Sequence, residues 1–199
     1  MVIKSRKLHR PLGERRYRKL FVISVEGVKT EPQYFELFNK SDQNIIKINC
    51  LKGNHQSSPF QVLKRMKRYL KIEDLKKTDE AWLVIDMDQW SSDQIEPLFE
   101  WSQSKENYGL ALSNPTFELW LLLHFEDGRK VATTDECLNR LKKYLPEYKK
   151  GIGIRKFTIE TIHSAIQRAK RRDNPPCVDW PRTVGVTTIY RLVEKLIFQ

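Results

Sequence analysis

Along the 199-residue chain, short apolar runs alternate with longer amphipathic stretches. "LFVISVEG" (20–27) is nearly continuous in apolar residues, as a strand buried on both faces of a parallel sheet requires. Thr30-Glu31-Pro32 predicts a helix start, with Thr30 as N-cap and an acid and a proline in the first turn. That helix runs to about Asn39 and packs through Tyr34, Phe35, Leu37 and Phe38. "NIIKINCL" (44–51) alternates like a strand, and "KGNHQSS" (52–58) reads as a loop. Ser58-Pro59 opens a helix through "FQVLKRMKRYLKIEDLKK", to residue 77. "EAWLVIDMD" (80–88) is the clearest strand, followed by a helix over about 92–103 and a strand, "YGLALSNP" (108–115). "TFELWLLLHF" (116–125) is a strongly apolar helix, and helices are predicted over 134–145, 158–172 and 187–198.

Four strands separated by helices predict an α/β protein: an open, mainly parallel sheet with flanking helices, plus a helical C-terminal region packed on it. The expected division is a basic N-terminal arm (1–19), an α/β core (20–130) and the helical region (131–199). No internal repeat is present. "KKGIGIRKF" (149–157) lacks a preceding strand and the full spacing of a dinucleotide or Walker loop, so it is set aside as a nucleotide site.

Charge adds a partner class. The formal net charge is +11, from 36 basic and 25 acidic side chains, which favours polyanions: nucleic acid first, an anionic membrane surface second. Ordinary lysine-rich solubility is the plain alternative. Residues 1–19 hold eight Lys/Arg against Glu14 alone, and Arg15, Arg16 and Arg18 are candidate phosphate contacts. A second basic face is expected on the helix carrying Lys64, Arg65, Lys67, Arg68 and Lys71. Cys50, Cys137 and Cys177 are far apart and suggest neither zinc nor a disulfide. No run approaches the ~20 apolar residues of a membrane span, and no apolar segment follows the basic start as in a secretory signal. A soluble cytoplasmic protein is expected.

The candidate chemistry lies where strands end. Three strands close on polar residues: Glu26-Gly27, Asp86-Met87-Asp88 and Ser113-Asn114-Pro115. If the strands are parallel, all three fall on one sheet edge, where open α/β sheets bind ligands. Carboxylates gathered there repel one another unless protonated or neutralised by cations, and hard oxygen donors suit Mg²⁺ or Mn²⁺. Asp86 and Asp88, two apart, share a face of a regular strand. The structural alternatives are an ion pair of Glu26 with Lys29 or an arginine, and helix capping near Ser92 by Asp88. Glu118, in a helix otherwise apolar nearly all round, faces the same site or bonds to backbone or an arginine. His124, six residues on and nearly opposite it, reads as a core histidine. Asn114 is a ligand candidate or the start of an Asx turn before Pro115. Glu31 reads as a helix-dipole acid, and Lys29 lies within reach of a phosphate beside the carboxylates.

"VEGVKTEPQYF", "VIDMDQW" and "LSNPTFELWLLLHF" together resemble the RloB-like family, found beside bacterial restriction and defence genes, over roughly residues 18–198. That family looks like a variant of the Toprim fold, the metal-binding module of topoisomerases and primases. The resemblance implies that Glu26 is the glutamate after the first strand, and Asp86 and Asp88 the later Asp-x-Asp pair. It further implies Mg²⁺ held by Asp86 and Asp88, with Glu26 as a ligand or general acid/base, and it leaves Lys29, Asn114 and Glu118 as additional site candidates. The activity implied is a metal-dependent nuclease of an anti-phage system, cutting RNA (tRNA among the candidates) or DNA, with a partner ATPase. The alternatives are a non-catalytic nucleic-acid or nucleotide-binding module that signals to a partner ATPase, and phosphoryl or nucleotidyl transfer on a small nucleotide.

Overall fold

The structure is a computed structural model and describes residues 19–39, 46–53, 58–87, 89–148 and 151–198. β1 (Lys19–Val25), β2 (Ile46–Leu51), β3 (Glu80–Asp86) and β4 (Tyr108–Asn114) run parallel. A two-residue β5 (Val186–Thr187) pairs antiparallel with β4, giving the order β2-β1-β3-β4-β5. The open, mainly parallel sheet and its flanking helices agree with the α/β class predicted from the alternation.

Both sheet faces are covered, which is why the strands read as apolar runs. Phe21, Ile23 and Val25 of β1, with Trp82 and Val84 of β3, join one core with α1 (Thr30–Glu36), α4 (Phe117–Leu122), α5 (Thr134–Tyr144), α6 (Ile159–Arg172) and α7 (Ile189–Ile197). Val22, Ala81, Leu83 and Ile85 point the other way, against α2 (Pro59–Leu70) and α3 (Ser92–Gln103). α4 is apolar nearly all round because Phe117 and Leu119 to Leu122 are all buried. The chain leaves β1 for β2 on one side and returns to β3 on the other, so the strand order switches direction between β1 and β3.

Several boundaries depart from expectation. α2 ends at Leu70, not at residue 77. Its buried stripe of Val62, Leu63 and Met66 would next need apolar residues one turn beyond Leu70, and the chain supplies Glu73 and Asp74 there. Thr30 is the first helical residue rather than the N-cap. α4 stops at Leu122, and Leu123 to Phe125 continue as turns. β5 falls where the sequence predicts the start of a helix, since two residues are too few to carry a strand pattern. Arg15, Arg16, Arg18 and Asp88 lie outside the described residues.

Candidate functional site

The β1–β3 switch brings two strand ends side by side. Val25 pairs with Val84, so Glu26, just past β1, lies near Asp86, the last residue of β3. Glu26 Oε2 accepts the Asp86 backbone N–H at 3.3 Å, and its Oε1 accepts the Trp90 indole N–H at 3.2 Å. These bonds fix the carboxylate over the next strand end. The turn leaves no room for side chains: a Cβ on Gly27 would lie 2.1 Å from Glu31 Oε2, and one on Gly53 would lie 1.9 Å from the Glu26 carbonyl oxygen. Gly53 N–H closes the contact by donating to the Gly27 carbonyl at 3.0 Å.

Two more acids reach the same edge. Glu31 folds back from the first turn of α1 so that Oε1 accepts the Gly27 N–H at 2.8 Å, and the side chain is buried. Burial is the main cause that raises its pKa to about 7, and the negative charges of Glu118 and Glu26 add to it. Asp86 is likewise held well above the usual carboxylate range, first by burial and then by Glu31, Glu118 and Glu26. Glu118 joins Asp86 through Thr116: the threonine Oγ1 lies 3.1 Å from Asp86 Oδ2 and in hydrogen-bond contact with Glu118 Oε2. A hydroxyl has one proton to donate, so it serves one carboxylate at a time. The second contact needs a proton on the other acid, which is the direction in which Asp86 is shifted. Tyr148 closes the far side, donating to Glu118 Oε1 and bonding Thr30 Oγ1 at 3.1 Å.

The structure therefore brings together Glu26 and Asp86, with Glu118 alongside and Lys29 exposed at the start of α1. Asn114 is occupied elsewhere. Its Nδ2 donates to the Pro181 and Arg182 carbonyls at 3.2 and 3.1 Å, tying β4 to the segment before β5. Lys64, Lys67 and Arg68 are exposed on α2, as predicted. Arg65 corrects the expected basic face: it turns inward and is partly buried, donating to the Val25 carbonyl at 3.3 Å and the Lys52 carbonyl at 2.8 Å. β2 pairing ends at Ser24, and the guanidinium supplies a donor to the next carbonyl. His124 is the core histidine expected, buried with Nδ1 3.0 Å from the Trp120 carbonyl and Nε2 3.1 Å from the Tyr34 hydroxyl.

Glu31 is the first-turn acid expected, but sequence reasoning missed its bond to Gly27, and it missed Thr116, Tyr148 and Trp90. Glu31 carried a signal: in α1 it sits next to Pro32 and within one turn of Tyr34 and Phe35, all buried, and an acid in such company needs a partner. Tyr148 carried none, because its place depends on how the chain after α5 returns to α4.

The donors at this edge are carboxylate and hydroxyl oxygens, the chemistry of a hard divalent cation. A cation would also offset the burial, and the neighbouring negative charges, that raise Glu31 and Asp86. Among the described residues no three His, Cys, Asp or Glu side chains converge closely enough to hold a metal by themselves. Mg²⁺ is usually held by one or two carboxylates, with waters and phosphate completing the shell, so the donors fit it in kind and number.

An open, mainly parallel sheet with acids at the ends of its first and third strands, at the switch point, is an α/β architecture consistent with a Toprim-like fold. The model of the family described as RloB-like protein matches residues 21–196, and the chain belongs to that family. Comparisons with curated proteins and with solved structures gave no significant match. Among the described residues no helix is long and apolar enough to cross a membrane.

Proposed function

We propose that this chain is a Mg²⁺- or Mn²⁺-dependent nuclease that hydrolyses phosphodiester bonds in RNA or DNA as the effector of a bacterial anti-phage system. The observation that carries the reading is the gathering of Glu26, Glu31, Asp86 and Glu118 at one sheet edge, where the charges of Glu26 and Glu118 add to the burial that raises Glu31 and Asp86. Asp86 and Asp88 would hold the ion, with Glu26 beside them. When bound, the ion supplies Lewis-acid activation of the phosphate and an acidified water. Glu26, steadied by Trp90 and the Asp86 N–H, would take up the proton of the attacking water. Thr116 orients Asp86, and Tyr148 orients Glu118. Lys29 and the exposed basic residues of α2 supply positive charge for a polyanion. A nuclease with so basic a surface needs restraint, and a partner ATPase that licenses cleavage meets that need.

The test incubates the wild type, Glu26→Ala, Asp86→Ala and Asp88→Ala with total RNA, tRNA and single- and double-stranded DNA, with and without Mg²⁺ or Mn²⁺ and a candidate partner ATPase. Cleavage that needs the metal and disappears in the variants is the expected result. Substrate bound but left intact under every condition refutes the nuclease and favours a signalling module.

A further inference from the structure

Far from the basic face of α2, the chain concentrates arginine at the C-terminal half of α6. A concave pocket of about 160 Å³ is lined by Arg129, Arg168, Arg171 and Arg172, with Asp127 as its one acid. Asp127 is shared: Arg168 Nε is 3.3 Å from Oδ1, Arg171 Nη2 is 3.5 Å from Oδ1, and Arg129 Nη2 is 3.7 Å from Oδ2. These are ion-pair separations longer than good N–H···O bonds, so one carboxylate neither saturates nor neutralises three guanidinium groups.

Backbone carbonyls hold two of the arginines in place. Arg168 donates to the Leu123 carbonyl at 2.7 Å, and Arg172 donates to the Asp127 carbonyl at 3.1 Å and to the Gly185 carbonyl. Each guanidinium has five N–H groups, so these contacts leave several for a ligand. Arg129 and Arg171 are exposed by 82% and 70% of their side chains and flank the fixed pair. Arginine held this way suits the planar, paired recognition of phosphate oxygens.

The pocket does not stand alone. Arg168 and Arg171 also line a neighbouring cavity of about 410 Å³, which extends along α6 to His163 and Phe198. Phe198 is exposed and stacks on His163 at 5.5 Å, presenting an aromatic face at that end. At the other end, Arg172 reaches Gly185, whose N–H donates to the carbonyl of Asn114, the last residue of β4. The groove thus ends against the segment that is bonded to the end of β4.

We infer that this groove along α6 seats a single strand of nucleic acid, its phosphates on Arg129, Arg168, Arg171 and Arg172 and a base stacked on Phe198. The inference rests on the reading that this chain acts on nucleic acid. Fixed guanidinium groups track a backbone without reading sequence, and an aromatic face takes any base, a combination that suits single strands.

The experiment measures fluorescence anisotropy of labelled RNA of about 20 nucleotides, in EDTA so that turnover plays no part, across about 50–200 mM salt. Arg129→Glu/Arg171→Glu is expected to bind about tenfold or more weakly and with a shallower salt dependence. Asp127→Asn, which removes the acid that three of the arginines share and leaves Glu194 farther along the groove, is expected to bind severalfold tighter. Phe198→Ala is expected to weaken the single strand more than a duplex of the same sequence. Lys64→Glu/Lys67→Glu makes the same charge change on α2, whose positive charge also favours a polyanion, and is expected to weaken binding less than Arg129→Glu/Arg171→Glu. A larger loss in the α2 variant than in the arginine variant overturns the assignment. So does a duplex held as tightly as the strand, or displacement of the strand by millimolar inorganic phosphate, which would mark a site for lone phosphate. A chain that grips RNA here but never cleaves it keeps this inference and sinks the nuclease. Cleavage and binding untouched by the arginine changes sink this inference alone.

Discussion

His124 makes a quantitative prediction about acid stability, because its hydrogen bonds settle its tautomer. A carbonyl can only accept, so the Trp120 contact requires a proton on Nδ1, and Nε2 must accept the Tyr34 O–H. The ring is neutral and buried, and burial pushes its pKa from 6.5 down to about 3. In the unfolded chain the imidazole takes up a proton near pH 6.5; in the folded chain it does so only near pH 3. Its contribution to stability is therefore complete above about pH 6.5 and is lost as pH falls toward 3. At pH 5 the loss is about 2 kcal/mol, from roughly 1.4 kcal/mol for each pH unit below 6.5. For a domain of this size that lowers Tm by about 4–8 °C.

The assay is urea denaturation followed by tryptophan fluorescence at pH 7.5 and 5.0, comparing wild type with His124→Leu, which has no titrating group. The variant is less stable at neutral pH, yet it should lose about 2 kcal/mol less on acidification. Tyr34→Phe tests the other half of the contact, leaving the Nε2 lone pair buried without a donor, at a cost of about 1–3 kcal/mol at pH 7.5. The bond matters to the site because Tyr34 lies on α1, which carries Glu31, and His124 follows α4, which carries Glu118. Equal acid losses in wild type and His124→Leu would refute the reasoning, since the difference cancels every other titrating group.

Glu31→Gln can keep an oxygen acceptor for the Gly27 N–H while removing a charge that costs about 3 kcal/mol at pH 8, given a folded pKa of about 7 against 4.5. The sign is opposite to that of His124: the wild-type contribution is present below pH 4.5 and lost as pH rises through 7. In EDTA at pH 8 the variant should melt several degrees above wild type, and millimolar Mg²⁺ should narrow the gap. Gly53→Ala drives a methyl into the Glu26 carbonyl, and backbone cannot yield as a side-chain tip does. Calorimetry should show a loss of about 1–3 kcal/mol, with a reduced thermal shift on adding Mg²⁺. Tyr148→Phe should leave Tm within a few degrees while weakening Mg²⁺ binding in isothermal titration, because it frees Glu118 without opening a cavity.

The sheet and most of its helices were legible because burial on both faces leaves its mark on the strands themselves. "LFVISV" and "AWLVI" admit few other environments, and a parallel sheet then carries Glu26 and Asp86 to one edge. What stayed hidden depends on tertiary return paths. The partners of Asn114 lie in the segment before β5, more than sixty residues away, and Arg65 turns inward to meet a β1 carbonyl that no helical periodicity announces. Glu31 is the first-turn acid expected, and that local explanation hid a second partner. The Gly27 N–H faces it only once the Glu26–Gly27 turn has formed.

The C-terminal third cannot be a mere cap on this architecture. Asp86, Thr116, Glu118, Tyr148 and Thr30 form one continuous chain of hydrogen bonds, drawn from the end of β3, the start of α4, the segment after α5 and the start of α1. Removing the segment after α5 would leave Glu118, among the described residues, bonded to Thr116 without Tyr148, and Thr30 without the phenol it now bonds. The same third supplies β5, which lengthens the sheet beyond β4, and the α6 arginines, whose anchor at Gly185 is bonded to the end of that strand. The family match, which runs to residue 196, spans these elements as well as the acids. A site built in this way couples its carboxylates to the packing of α5 to α7, so a partner that shifted those helices would reach Glu118 through Tyr148 without touching the strand ends.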